Sequence, residues 1–365
     1  MIPDKILFLG WIMVVEVMLF YAFHTLSYNP IANKRRFIPF KVGMIILFVL
    51  SWTGYGSGDY YNYYHVLGMI KQFTVFPSIE PAYWVIGKMV DYDNSNFRLL
   101  MSGVIYLGLY QIIKNYSVDK NITLSIFIIV YFLDFAAILR ASLCDIIFYV
   151  GVLAFFKNRS WPTTILMILC TTSSLLFHKT AFILFIPLIL CFFKFGRSTR
   201  SVLIILAPIL FVLSVIVTRF IFSSYFESSK YIDGSHTDGS RSAQINLLLK
   251  YLFWIGILLI GVLKTRRYLR HQGFYGFLSR MFFWYAYIGF ILVLNPGSHY
   301  LFMRIVAHGC IPILLVLAYV FVTSASNTRK LLRTALLIFI LTIQISFYLM
   351  YTYNLPLLNT NQYIH

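Results

Sequence analysis

The sequence predicts an all-α polytopic membrane protein. It reads as a single transmembrane domain over residues 1–365, with about 12 transmembrane helices and both termini on the outer side. Three observations predict this. First, 60% of the residues are hydrophobic and the mean hydropathy is +0.79, whereas soluble domains are about 45–50% apolar. Second, apolar runs recur along the whole chain. Third, Lys and Arg gather in short clusters between alternate runs, as they do in the inner loops of membrane proteins. The 27 Tyr and 6 Trp suit many crossings of the lipid–water boundary, where these rings concentrate.

Taken in order, the apolar runs lie at about 6–26, 38–55, 97–113, 122–139, 141–156, 161–177, 180–195, 201–222, 248–264, 281–295, 301–322 and 334–353. The first lacks the basic flank and small-residue cleavage site of a signal peptide, so it reads as the first span. Glu16, midway along it, is expected to face a bundle interior or to lie on a proton path. Almost no loop separates the runs on either side of Arg140, or those on either side of His178. Each pair is therefore two spans, one broken segment or a re-entrant hairpin.

The basic residues set the orientation. Lys34, Arg35, Arg36 and Lys41 form one inner cluster, and Lys114 and Lys120 the next. Lys157 with Arg159, and Lys194 with Arg197 and Arg200, follow. The largest is Lys264, Arg266, Arg267, Arg270 and Arg280, and Arg329, Lys330 and Arg333 form the last. By the positive-inside rule these loops face the cytoplasm. Of the 12 acids only Asp119 joins them, so the net charge of +18 reports topology and gives no reason to expect a nucleic-acid partner. Two outer segments are long, about 54–96 and 223–247. The second is rich in Ser, Gly and Asp and reads as an outer loop or lid. No P-loop or GxGxxG sits in an inner loop, so no nucleotide cofactor is expected. Asp91 and Asp93 are too few for a metal site, and the four Cys show no ligand spacing.

Five charged features share the outer boundary in this topology: Asp59, Glu80, Arg140, His178 and Arg304. Charges at membrane depth are costly and mark functional sites. Arg140 could simply snorkel against Asp134 or Asp145. It could also grip phosphate oxygens, which a guanidinium does while staying charged. Arg304 on a separate helix could hold a second phosphate. His178 could be an interfacial cap or a general base for a hydroxyl. Asp59 sits among tyrosines, including Tyr60 and Tyr63, and could accept sugar hydroxyls while the rings stack on sugar faces. It could equally close a Gly-Ser-Gly-Asp turn. Glu80-Pro81 opens an amphipathic piece, Ala82 to Val90. Glu80 there is either a helix-terminal acid or an alternative base.

The order of these residues resembles the EpsG family, which is grouped with Wzy-type polymerases of bacterial O-antigen, capsule and exopolysaccharide. The matching residues are Gly58-Asp59-x3-Tyr63, Glu80-Pro81, Ile138-Leu139-Arg140, Phe177-His178-Lys179-Thr180-Ala181 and a late outer-face Arg304. Ala141 departs from the glutamine common at that position. The resemblance implies a multi-pass protein of the bacterial inner membrane. It implies a glycosyltransferase that joins undecaprenyl-diphosphate-linked oligosaccharide repeat units on the outer face, with a chain-length regulator as partner. His178, Asp59 or Glu80 would then be catalytic. Arg140, Arg304 and Lys179 would bind the diphosphate, and Tyr60 and Tyr63 the sugars.

Two other functions fit the same residues: a ligase using a similar lipid donor, and a flippase for the lipid-linked oligosaccharide. Transporters often show inverted repeats and midplane charges. Here the charges cluster at one face and no repeat is visible, which favours the enzyme.

Overall fold

The computed structural model describes residues 2–27, 40–53, 58–72, 80–178, 181–192, 207–209, 211–212, 241–271, 273–293 and 299–353. Along 2–8, 58–62, 241–249 and 345–353, and at a few further positions, only the backbone is described. The chain divides into two compact units. One is Met1–Phe182 with Leu317–His365, and the other is Ile183–Val316. Among the described residues the regular structure is helical, with no strand.

The first unit contains α1 (Ile2–Ser27), α2 (Phe40–Thr53), α3 (Gly58–Gln72), α4 (Pro81–Met89), α5 (Asn94–Tyr116), α6 (Lys120–Val130), α7 (Phe132–Ala137), α8 (Leu139–Lys157) and α9 (Trp161–Phe177). The second holds α10 (Phe182–Leu190), α11 (Arg241–Thr265), a 3-10 turn (Arg266–Tyr268), α12 (Phe274–Val293) and α13 (His299–His308). The boundary between units falls within α14 (Cys310–Thr323), and α15 (Ser326–Tyr353) belongs to the first unit. Four stretches are long and apolar enough to cross a membrane: Leu9–Ser27, α5, α8 and α12. Shorter apolar helices include α2, α6, α9 and α14. This is a helical membrane protein.

The expected runs map onto these helices with two breaks. The 122–139 run is two helices, α6 and α7, interrupted at Tyr131. The 301–322 run is likewise α13 and α14. Most of the 201–222 run lies outside the described residues. Within the segment 54–96, the described residues include the helices α3 and α4. Tyr63, Leu67 and Ile70 are buried there at helical spacing. Glu16 does not face an interior. It lies on the exposed side of α1, while Val15, Met18 and Leu19 face inward.

In the first unit α8 packs on α9 and α5, α1 on α6 and α15, and α2 on α5. Gly151 permits the α8–α9 contact: a Cβ there would lie 2.6 Å from Cys170 Cβ and 3.0 Å from the Leu166 carbonyl oxygen. Small residues let helix backbones approach in this way in membranes. The helix ends are tied by side chains. Arg98, fully buried on α5, donates from Nη2 to the Ser51 carbonyl at 2.6 Å and from Nε to Trp52 at 3.0 Å. It thereby satisfies carbonyls that the end of α2 leaves open. At the other end of α5, Lys157 donates to the Asn115 carbonyl at 2.7 Å.

The turn from α4 to α5 is unusual. Asp91 and Tyr92 are both left-handed, with φ of 51° and 58°. Each costs a side-chain-bearing residue about 1–2 kcal/mol. Compensation comes from Tyr92 N–H donating to the Gly87 carbonyl at 2.8 Å and from Asp93, whose carboxylate accepts from Asn96 N–H at 2.7 Å. Asp93 is thus the cap of α5.

Candidate functional site

The site is assembled from helix ends. Glu80 immediately precedes α4, with Pro81 occupying the first helical turn, where its fixed φ suits the helix start. The Glu80 side chain makes no cap bond to its own helix. It turns to two partners far away in sequence. Arg140 Nη1 donates to Glu80 Oε2 at 2.8 Å, and His178 Nδ1 lies 3.2 Å from Glu80 Oε1. Arg140 stands in the first turn of α8, just after its cap residue Ile138. His178 is the residue that ends α9. The packing of α4 against α9 brings the carboxylate to the imidazole.

Burial is graded across the cluster. The side chains of Glu80, His178 and Arg140 are 6%, 11% and 33% exposed. The carboxylate is innermost and the guanidinium reaches toward the surface. Burial pushes the Glu80 carboxyl up, but the His178 hydrogen bond and the Arg140 charge overcome it. The net result lowers it from 4.5 to about 2. Glu80 is therefore an anion at neutral pH and a weak proton acceptor. An ionised carboxylate only accepts hydrogen bonds, so Nδ1 of His178 carries its proton. In the neutral form of the ring the lone pair is then on Nε2.

Two tyrosines hold Arg140. The start of α8 has no side-chain cap from Ile138, and the hydroxyl of Tyr63 accepts from the Arg140 backbone N–H at 3.2 Å. The guanidinium carbon lies 5.9 Å from the Tyr63 ring centre and 5.4 Å from that of Tyr83, within cation–π range. The ring centres of Tyr83 and Phe97 are 4.7 Å apart. This aromatic group is buried: Tyr63 is 2% exposed. Its ring therefore presents no open face to a sugar here, and it supports the arginine instead.

The structure thus brings together Glu80, Arg140, His178 and Tyr63. Asp59 and Tyr60 lie in the first turn of α3, but their side chains are outside the described residues, as is Lys179. Arg304 lies on α13, in the second unit, and is half-buried. Asp134 is exposed on α7 and Asp145 is buried on α8. One carboxylate ion-paired to Arg140 is Glu80. Sequence reading missed Tyr83 and Arg98. Tyr83 could have been found as the inward position of the amphipathic piece after Glu80. Arg98, two residues after Asn96 at the mouth of an apolar run, looks from sequence like an ordinary boundary arginine.

A helical membrane protein with an Arg–Glu–His cluster at the ends of its helices is the class this fold and site define. The chain belongs to the EpsG family, whose model matches residues 35–365, and it is a membrane protein of the polysaccharide-biosynthesis type. No curated protein and no solved structure matches it.

Proposed function

We propose that this protein is a glycosyltransferase that polymerises polyprenyl-diphosphate-linked oligosaccharide repeat units at the outer face of the bacterial inner membrane. One observation carries the reading: a single buried carboxylate, Glu80, is shared between an anion-binding group, Arg140, and a proton-accepting group, His178. Phosphate binding and proton abstraction are the two demands of this chemistry.

In the reaction, an acceptor sugar hydroxyl attacks the anomeric carbon of the donor. Its oxygen–carbon bond forms as the bond from that carbon to the diphosphate oxygen breaks. The hydroxyl proton passes to Nε2 of His178. Glu80 keeps the imidazole in the required tautomer and balances the charge that develops on the ring, the role of the acid in a hydrolase triad. The leaving group is polyprenyl diphosphate. Arg140, half-exposed and stacked on tyrosines, stabilises its growing negative charge. Asp59 and Tyr60 contact sugar on this reading. The sugars differ from nucleotide-activated donors in arriving on a lipid, which accords with the absence of a nucleotide motif in the sequence.

The test is the length of the polysaccharide made in cells lacking the gene and complemented with variants. Single repeat units on the lipid or core, in place of long chains, support the reading. Repeat units trapped on the cytoplasmic face would indicate a flippase instead. Long chains from an Arg140→Ala or His178→Ala strain would overturn the assignment of those residues.

A further inference from the structure

Residues 264–280 of the second unit form a second charged site that the polymerase chemistry does not use. Lys264 ends α11, Arg266 is in the 3-10 turn and Arg270 follows it, and all three are exposed. From Gly239 to the C-terminus the sequence contains no Asp or Glu. These cations therefore have no acidic side chain in their own stretch of chain to neutralise them.

The turn that carries them is pinned. Arg280, on α12, donates from Nη1 to the His271 carbonyl at 2.7 Å and to the Leu269 carbonyl at 3.3 Å. A guanidinium holding two carbonyls fixes the path of the loop rather than leaving it to solvent. Gly276 lets the loop return against α12, because any Cβ there would collide with the His271 carbonyl oxygen. Leu269 is buried beneath the turn.

Depth identifies the partner. The turn joins the ends of Leu252–Thr265 and α12, two apolar helices that pack together. It therefore sits where lipid phosphates are concentrated, whichever face of the membrane that is. We propose that Lys264, Arg266 and Arg270 form a seat for the headgroup phosphate of an anionic phospholipid. Juxtamembrane cations attract such headgroups individually. The pinned turn presents three of them from one short, ordered segment. The inference is independent of the polymerase reading.

The test uses purified full-length protein in neutral detergent. Phosphatidylglycerol is titrated against phosphatidylcholine of the same chain length, and bound lipid is counted by native mass spectrometry. The wild type should retain phosphatidylglycerol selectively. The variant K264Q/R266Q/R270Q should lose on the order of a hundredfold in affinity, at about fivefold per cation, with an unchanged gel-filtration profile. Gly276→Val keeps every charge but displaces the turn, and should also weaken binding. If that variant does not fold, the triple substitution decides alone. Equal retention of phosphatidylcholine, or unchanged affinity in the triple variant, would overturn the proposal. So would full competition by inorganic phosphate at matched concentration, which would make the seat one for free anions.

Discussion

Glu80 and Arg140 meet at 2.8 Å although 60 residues separate them in the chain. The contact joins the start of α4 to the start of α8, so the segment before α5 is tied to the long apolar helix α8 through an ion pair. His178 meets the same carboxylate from the end of α9. The following expectations derive from that arrangement and from the packing that supports it.

Arg140→Lys should abolish or severely reduce long-chain polysaccharide at unchanged protein level. Lysine keeps the charge but loses the planar fork and the stacking on Tyr63 and Tyr83. A loss of tenfold or more, about 1.4 kcal/mol, is expected in initial rate with a lipid-linked donor. A lysine variant with wild-type rate would show that charge alone suffices.

His178→Ala should lower the rate by roughly 10²–10⁴-fold, the usual contribution of a positioned general base. Binding of a non-reacting donor analogue should change little. Weakened donor binding with a normal maximal rate would instead make His178 a phosphate ligand.

Glu80 gives the protein an acid-sensitive component of stability. Its carboxyl is lowered from 4.5 to about 2 in the fold. The stabilisation is complete above about pH 4.5 and is lost as the pH falls toward 2. The shift corresponds to on the order of 3 kcal/mol. Thermal unfolding in detergent across this range should fall more steeply with acid for wild type than for Glu80→Gln. Parallel curves would mean that the pair contributes nothing to folding.

Arg98→Met should destabilise the protein by about 3 kcal/mol or more. It removes two charge-assisted hydrogen bonds and leaves the Ser51 and Trp52 carbonyls open. The measurement is the unfolding temperature and the yield from membranes. Lost activity in a protein of unchanged stability would point to a direct role in the site.

Gly151→Leu should separate α8 from α9 and cost about 1–3 kcal/mol as an overpacked contact. Because α8 carries Arg140 and α9 carries His178, the variant should also lose activity beyond its loss of stability.

Much of the fold was legible because membrane helices declare themselves as apolar runs, and because basic clusters mark their ends. The α4 helix was legible from Glu80-Pro81 and the amphipathic piece that follows. The convergence of Glu80, Arg140 and His178 was readable only as a shared depth. What sequence could not supply was the pairing. Two aspartates flank Arg140 locally and invite a local explanation, and nothing in the sequence points to Glu80, an ion-pair partner from another segment. Tyr63 shows the same limit. In a tyrosine-rich stretch it resembles a sugar platform, and only the packing of α3 against α4 and α5 reveals it as a buried support. Arg98 escaped because burial, not residue type, distinguishes a structural arginine from a boundary one.

The sharing of Glu80 has a thermodynamic consequence. Arg140 is positive and Glu80 negative, so this pair carries no net charge. A diphosphate that draws Arg140 away removes part of what holds the carboxylate ionised, and the imidazole becomes its principal partner. For the polymerase proposed above, donor capture and proton affinity would then be linked through one residue, Glu80: binding at one end of the cluster would ready the other end to take a proton.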